Sequence, residues 1–93
     1  MIRSFKCKQT ERIFRREGAG RWRAIEKIAL RKLLLIEGSE RIEDLRIPPG
    51  NRLEKLLGNR AGQHSIRIND QWRIIFRWTQ DGPDDVDVVD YHS

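Results

Sequence analysis

Cysteine is almost missing from this chain: Cys7 is the single thiol among 93 residues. A lone thiol forms no internal disulfide, which excludes a disulfide-stapled scaffold and fits a reducing cytosol. Cys7 reads more simply as a small buried hydrophobe than as a nucleophile. No run of ~18 apolar residues occurs, which excludes a membrane-spanning helix. The basic start MIRSFKCK lacks the ~7–15-residue apolar segment of a secretory signal, so a cytoplasmic protein is expected. The two histidines, His64 and His92, have no partners at zinc-ligand spacing. No glycine-rich loop joins a strand to a helix, and no nucleophile elbow is present. The residues thus offer no metal constellation. Internal repeats, low-complexity stretches and domain boundaries are absent too, and residues 1–93 read as a single domain with one modest core.

What the chain has is charge. Charged residues make up 35% of it and hydrophobic residues 38%, enough to fold beneath a heavily charged surface. The net charge of +5 is unevenly spread. Residues 1–78 hold all 19 Lys and Arg and nine of the 14 Asp and Glu, a net +10. Residues 79–93 hold five aspartates and no Lys or Arg, a net −5. A basic body with a pI near 10 points first to nucleic acid. The acidic end either folds back on the basic face or stands as a solvated loop.

The stretch QHSIRINDQWRIIFRW, Gln63 to Trp78, reads as two strands around Asn69-Asp70-Gln71. Strand side chains alternate with period two. Ile66 and Ile68 share one face, and Ser65 and Arg67 the other. Trp72, Ile74, Phe76 and Trp78 share one face, and Arg73, Ile75 and Arg77 the other. A two-residue turn would mix these faces. A three-residue loop sets Ile66 opposite Ile74 and keeps them separate. The same register sets Arg67 opposite Arg73, where like charges cost roughly 0.2–1 kcal/mol. An anion between them would offset that cost. So would carboxylates elsewhere, or splaying into water.

Around this hairpin the expected order is a strand at Ile2–Cys7 with Phe5 and Cys7 buried, then a short helix from about Gln9 to Glu17. A longer helix from about Arg21 to Glu37 carries Trp22, Ile25, Ala29, Leu33 and Ile36 inward, widened by Ile28. Arg23, Lys27 and Arg31 form its outer stripe, either a solvated face or one that tracks phosphates or a partner. Ser39 is expected to cap a short turn with Ile42 and Leu45 inward. Pro48-Pro49-Gly50-Asn51 breaks the chain. Leu53, Leu56 and Leu57 form a strand or helical turn. Gly82–Asp85 is expected as a turn before a last strand, Val86–Tyr91. Two helices packed on a twisted, mainly antiparallel sheet make an α+β fold. Its core face meets the long helix. The other face, with Arg67, Arg73 and Arg77, is expected to form a concave or open surface.

Asp90-Tyr91-His92 stands just before the last residue, Ser93. Beside a basic sheet face, these groups suit RNA cleavage without metal. A 2′-hydroxyl attacking its own phosphate needs a base, an acid, and cations around phosphorus. Histidine has an unperturbed pKa near neutrality. Asp90 is a candidate base or orienting group, Tyr91 a stacking or hydrogen-bonding group, and Arg67, Arg73 and Arg77 phosphate ligands. The plainer alternative is a strand end with Tyr91 packed and His92 exposed.

The opening IRSFK, the segment RLEKLLGNRAGQHSIRINDQWRIIFRW and the closing VVDYH together resemble the HigB toxins of bacterial toxin–antitoxin systems, within the RelE/ParE superfamily. The resemblance runs over nearly the whole chain. It implies a RelE-like fold and an endoribonuclease that uses no metal and no small cofactor, an mRNA interferase that cuts message in the ribosomal A site and so inhibits translation. It implies as partners the 70S ribosome and a HigA-like helix-turn-helix antitoxin, with DNA met only through that antitoxin and no membrane. By position it marks Asp90, Tyr91 and His92 as the catalytic cluster and Arg73 and Arg60 as RNA contacts, and Arg73 is counted with the catalytic residues. Many relatives place a histidine where Glu54 stands here and a lysine where Leu57 stands. Lys55 is then a displaced cation for RNA, and Glu54 a candidate base if it points inward. Two alternatives stay open: a ParE-like toxin that acts on DNA gyrase without cleaving RNA, and a plain basic module that binds RNA or a partner.

Overall fold

The loop Asn69-Asp70-Gln71 is held by one side chain. Asn69 Oδ1 accepts from the backbone N–H of Gln71 (2.9 Å) and Trp72 (2.8 Å), while Ile68 N donates to Trp72 O (2.9 Å). An Asx turn of this kind replaces a backbone turn with side-chain bonds. It joins β2 (Gln63–Arg67) to β3 (Trp72–Thr79) in the expected register, Ile66 opposite Ile74 and Arg67 opposite Arg73. The computed structural model describes residues 1–91. His92, a member of the terminal cluster, lies outside the described residues, as does Ser93.

Two further strands complete the sheet: β1 (Glu54–Lys55) and β4 (Gly82–Asp90), in the spatial order β1-β2-β3-β4, all antiparallel. Two helices precede it, a short α1 (Lys8–Phe14) and a longer α2 (Glu26–Gly38). The architecture is α+β. Ile13, Ile25, Ala29, Leu33, Ile36 and Leu45 pack on Ile66, Ile68, Ile74, Phe76, Val86 and Val88 in one buried cluster. No helix among the described residues is long and apolar enough to cross a membrane.

Several local expectations are corrected. The turn Gly82–Asp85 is strand instead: Thr79 pairs with Gly82 and Trp78 with Pro83, leaving Gln80-Asp81 as the turn. Pro83 fits because its carbonyl points outward to Arg3 N (2.8 Å), so its missing N–H falls away from β3. A bulge follows between the Arg77–Asp84 and Ile75–Asp87 pairs, with Asp85 at φ +51°. The N-terminal strand is reduced to a single parallel bridge, Phe5 to Val86. That segment still covers the outer edge of β4: Ser4 O accepts from Val86 N (3.0 Å), and buried Thr10 takes Val88 N on Oγ1 (3.0 Å). Phe5 is half-buried against Phe14, and Cys7, also half-buried, precedes α1. α1 stops at Phe14, and Arg16 (φ +61°) turns the chain before Gly18.

The longer helix begins later than its apolar stripe suggests. Gly20–Ile25 winds as a tighter 3-10 segment with Trp22 at non-helical angles, where its indole meets Trp72. Ile28 is exposed rather than part of the stripe. Ser39 closes α2 by donating to Leu35 O (2.7 Å), and Asp44 caps the following turn by accepting from Glu40 N and Arg41 N. Asn51 is fully buried: its amide donates to Leu45 O (3.1 Å) and Ile47 O (3.3 Å) and accepts from Lys32 Nζ (2.5 Å). It pins the Pro-rich break to α2. Leu56 is buried while Leu57 is exposed.

Candidate active site around Arg73

The second sheet face, expected as a concave or open surface, is largely buried at its floor. Gln63, Ser65 and Ile75 on it are buried, as is Leu56, which continues the Glu54 side of β1. Arg73 rises from this floor with its side chain only 11% exposed. Its Nε donates to Ser65 Oγ (2.8 Å), and its Nη2 donates to the Arg52 carbonyl (2.7 Å) and reaches Glu54 Oε1 at 2.9 Å. The guanidinium carbon lies 5.8 Å from the centre of the Tyr91 ring, a cation–π distance. Four elements therefore grip one arginine: β1, β2, the chain end after β4, and Arg52. Arg52 aims its carbonyl inward by adopting a left-handed turn (φ +47°).

The like-charge cost between Arg67 and Arg73 is met by carboxylates. Arg67 pairs with Asp70 of the hairpin loop, and Arg73 with Glu54. Arg77 stands 3.7 Å from Asp85 at the bulge. Gly62 leaves room for Arg77: a Cβ there would lie 3.3 Å from Nη1. Arg60 is exposed in the preceding turn, Gly58–Arg60. Lys55 pairs across the sheet with His64 and so faces away from Glu54 and Arg73. Glu54 does point to the site, as the partner of Arg73, with its own side chain 57% exposed.

The terminal cluster is divided between faces. Tyr91 joins Arg73. Asp90 pairs with Trp72 and therefore lies on the helix side, where it lines a cleft with Arg21 and Trp22 and accepts from Gln71 Nε2 (3.0 Å). His64, stacked on Phe76 with Nδ1 buried and without a hydrogen-bond partner among the described residues, has its pKa lowered from 6.5, first by burial and then by Lys55. Among the described residues no group of three or more His, Cys, Asp or Glu converges as metal ligands would. Sequence reasoning missed Ser65 and Arg52. Ser65 was findable, since the predicted register places it diagonally from Arg73. A backbone carbonyl leaves no side-chain signal.

The fold and site define a small two-layer α+β domain with a clamped arginine on its sheet. A family model for the RelE-like toxin of the type II toxin–antitoxin system HigB matches residues 3–92. The chain belongs to this HigB-like toxin family. Among curated proteins, Toxin HigB-1 of Vibrio cholerae is 51% identical over 55 residues, which cover 59% of this chain and 58% of that protein. An uncharacterized protein of Haemophilus influenzae is 40% identical over 67 residues, covering 72% of this chain and 65% of the relative. Each alignment thus spans less than two thirds of the relative.

Proposed function

We propose that this protein is an endoribonuclease toxin that cuts mRNA in the ribosomal A site in the cytoplasm, within a RelE-like fold, and is held in check by a HigA-like helix-turn-helix antitoxin. The observation that carries the reading is Arg73: a cation oriented by Ser65 and Arg52, with one exposed carboxylate, Glu54, where an anion would bind. In this reading the scissile phosphate displaces Glu54 and takes the guanidinium. The 2′-oxygen attacks phosphorus, the bond to the 5′-oxygen breaks, and a 2′,3′-cyclic phosphate and a 5′-hydroxyl result. One proton leaves the 2′-hydroxyl and one reaches the departing oxygen. His92 is the candidate for one of these transfers by its side-chain chemistry. Arg73 stabilises the charge that accumulates on the phosphorane oxygens in a site where its geometry is already set. Tyr91, beside it, confines the phosphate or stacks on a base. Arg60, Arg67 and Arg77 hold flanking phosphates, and Lys55 contributes from the sheet edge. Asp90 serves the substrate from the opposite face.

The test is induced expression in bacteria with primer extension on a reporter message. Discrete cleavage within the translated region and arrested growth are expected, both relieved by Arg73→Ala and by His92→Ala. Intact message with normal growth would overturn the reading. So would arrested growth with intact message and inhibited gyrase supercoiling.

A further inference from the structure

The cleft on the face opposite Arg73 has a volume of about 540 Å³ and is lined by Arg21, Trp22, Trp72, Val89 and Asp90. Trp22 and Trp72 meet edge to face, with ring centres 5.4 Å apart and an interplanar angle of 62°. Both are half-buried, so each keeps indole surface for a ligand. The Arg21 guanidinium carbon lies 5.9 Å from the Trp22 ring centre, and Arg21 is exposed. Asp90 is exposed and accepts from Gln71.

This lining mixes aromatic faces, a cation and an acceptor-only carboxylate. An apolar ligand would use the indoles and desolvate the Arg21 guanidinium. An acidic peptide would meet Asp90 with like charge. A nucleobase satisfies all of the groups: its ring stacks on indole, its N–H edge meets the carboxylate, and the attached phosphate meets Arg21. The cleft also lies one residue from the candidate active site along both strands. Trp72 precedes Arg73, Asp90 precedes Tyr91, and the pairs Trp72–Asp90 and Arg73–Val89 are adjacent. A strand of RNA passing over this end of the sheet therefore meets Arg73 on one face and the cleft on the other. Exposed Arg23, Lys27 and Arg31 continue the positive charge from Arg21 onto α2.

We propose that the Trp22–Trp72 cleft is a nucleobase subsite, which seats one base of an RNA strand near the nucleotide whose phosphate meets Arg73. The proposal rests on the RNA reading for the identity of the polymer. Its test is binding of a 2′-O-methyl RNA oligonucleotide, which resists cleavage, measured by fluorescence anisotropy while an abasic site is walked along the strand. Wild type should lose about ten-fold or more in affinity when the abasic site falls at one position. Trp22→Leu should bind every oligonucleotide at that reduced level, with no positional dependence, and Trp22→Phe should restore the dependence. Arg21→Gln changes an exposed side chain. It should weaken binding several-fold and reduce the slope of log K against log salt by about 0.7.

If Arg73→Ala abolishes binding while Trp22→Leu and Arg21→Gln behave as wild type at every position, the subsite is overturned and the RNA reading stands. If wild type binds no RNA, both are overturned. If Trp22→Leu and Arg21→Gln leave RNA binding intact but release an antitoxin, the cleft belongs to a protein partner and the nucleobase assignment is wrong.

Discussion

Replacing Glu54 by glutamine keeps the side-chain volume and removes the charge that neutralises Arg73. The contact is 2.9 Å, with Glu54 57% exposed and Arg73 11% exposed. Because one partner faces water, the pair belongs with surface ion pairs, worth about 0.2–1 kcal/mol. A phosphate that takes the guanidinium must first break it. Removing it should therefore tighten RNA binding by about 1.4- to 5-fold, since 1.4 kcal/mol corresponds to ten-fold. Relief of carboxylate–phosphate repulsion acts in the same direction. Folding stability should fall by the same 0.2–1 kcal/mol, a few degrees in Tm for a domain of this size. The assay is anisotropy with a 2′-O-methyl RNA at one fixed ionic strength, beside single-turnover cleavage of the ribose version. Weaker binding by Glu54→Gln would refute the counter-ion role. Tighter binding with cleavage reduced 10²-fold or more would keep the counter-ion role and make Glu54 the general base as well.

Other expectations follow from single contacts. Ser65→Ala removes the acceptor of a half-buried guanidinium N–H. It should destabilise by about 1–3 kcal/mol in urea denaturation and slow cleavage, while an Arg73→Ala background makes the same change nearly silent; additive effects would argue that Ser65 does not act through Arg73. Thr10→Val keeps the shape but strands the buried N–H of Val88, which should cost about 1–3 kcal/mol in the same measurement. His64 titrates below its ordinary 6.5 because burial, and then Lys55, disfavour its charged form. The unfolded chain then binds that proton more readily, so stability is lost as pH falls through the window beneath 6.5. Melting curves at pH 7.5 and 5.5 should show a smaller loss for His64→Gln than for wild type, and an equal loss would refute the assignment.

Much of this arrangement was legible in the chain. Period-two alternation from Ile66 to Phe76, together with Asn69 at the loop, was enough to predict the β2–β3 register. The stripe Ile25, Ala29, Leu33 and Ile36 was enough to seat α2 on the sheet. Those signals are local, because side-chain direction follows directly from backbone period. The start of α2 was less legible, since Trp22 continues the apolar stripe but leaves helical geometry to pack on Trp72. The grip on Arg73 was half legible. Ser65 lay in a predicted register, whereas Glu54 reaches it through a two-residue strand, and Arg52 contributes a carbonyl.

The face on which each terminal residue falls was decided elsewhere. The turn Gln80-Asp81 alone would place Val89 opposite Trp72 and put Asp90 on the Arg73 side. The one-residue bulge at Asp85 shifts the pairing, so Trp72 meets Asp90 and Arg73 meets Val89. Asp90 is thereby sent to the tryptophan cleft and Tyr91 to Arg73. The sequence by itself determined which residues are apolar, which are basic, and to which toxin family their order belongs. Only the tertiary structure decided which of them share a site. An offset of one residue between strands leaves local periodicity untouched yet exchanges the two faces of a sheet.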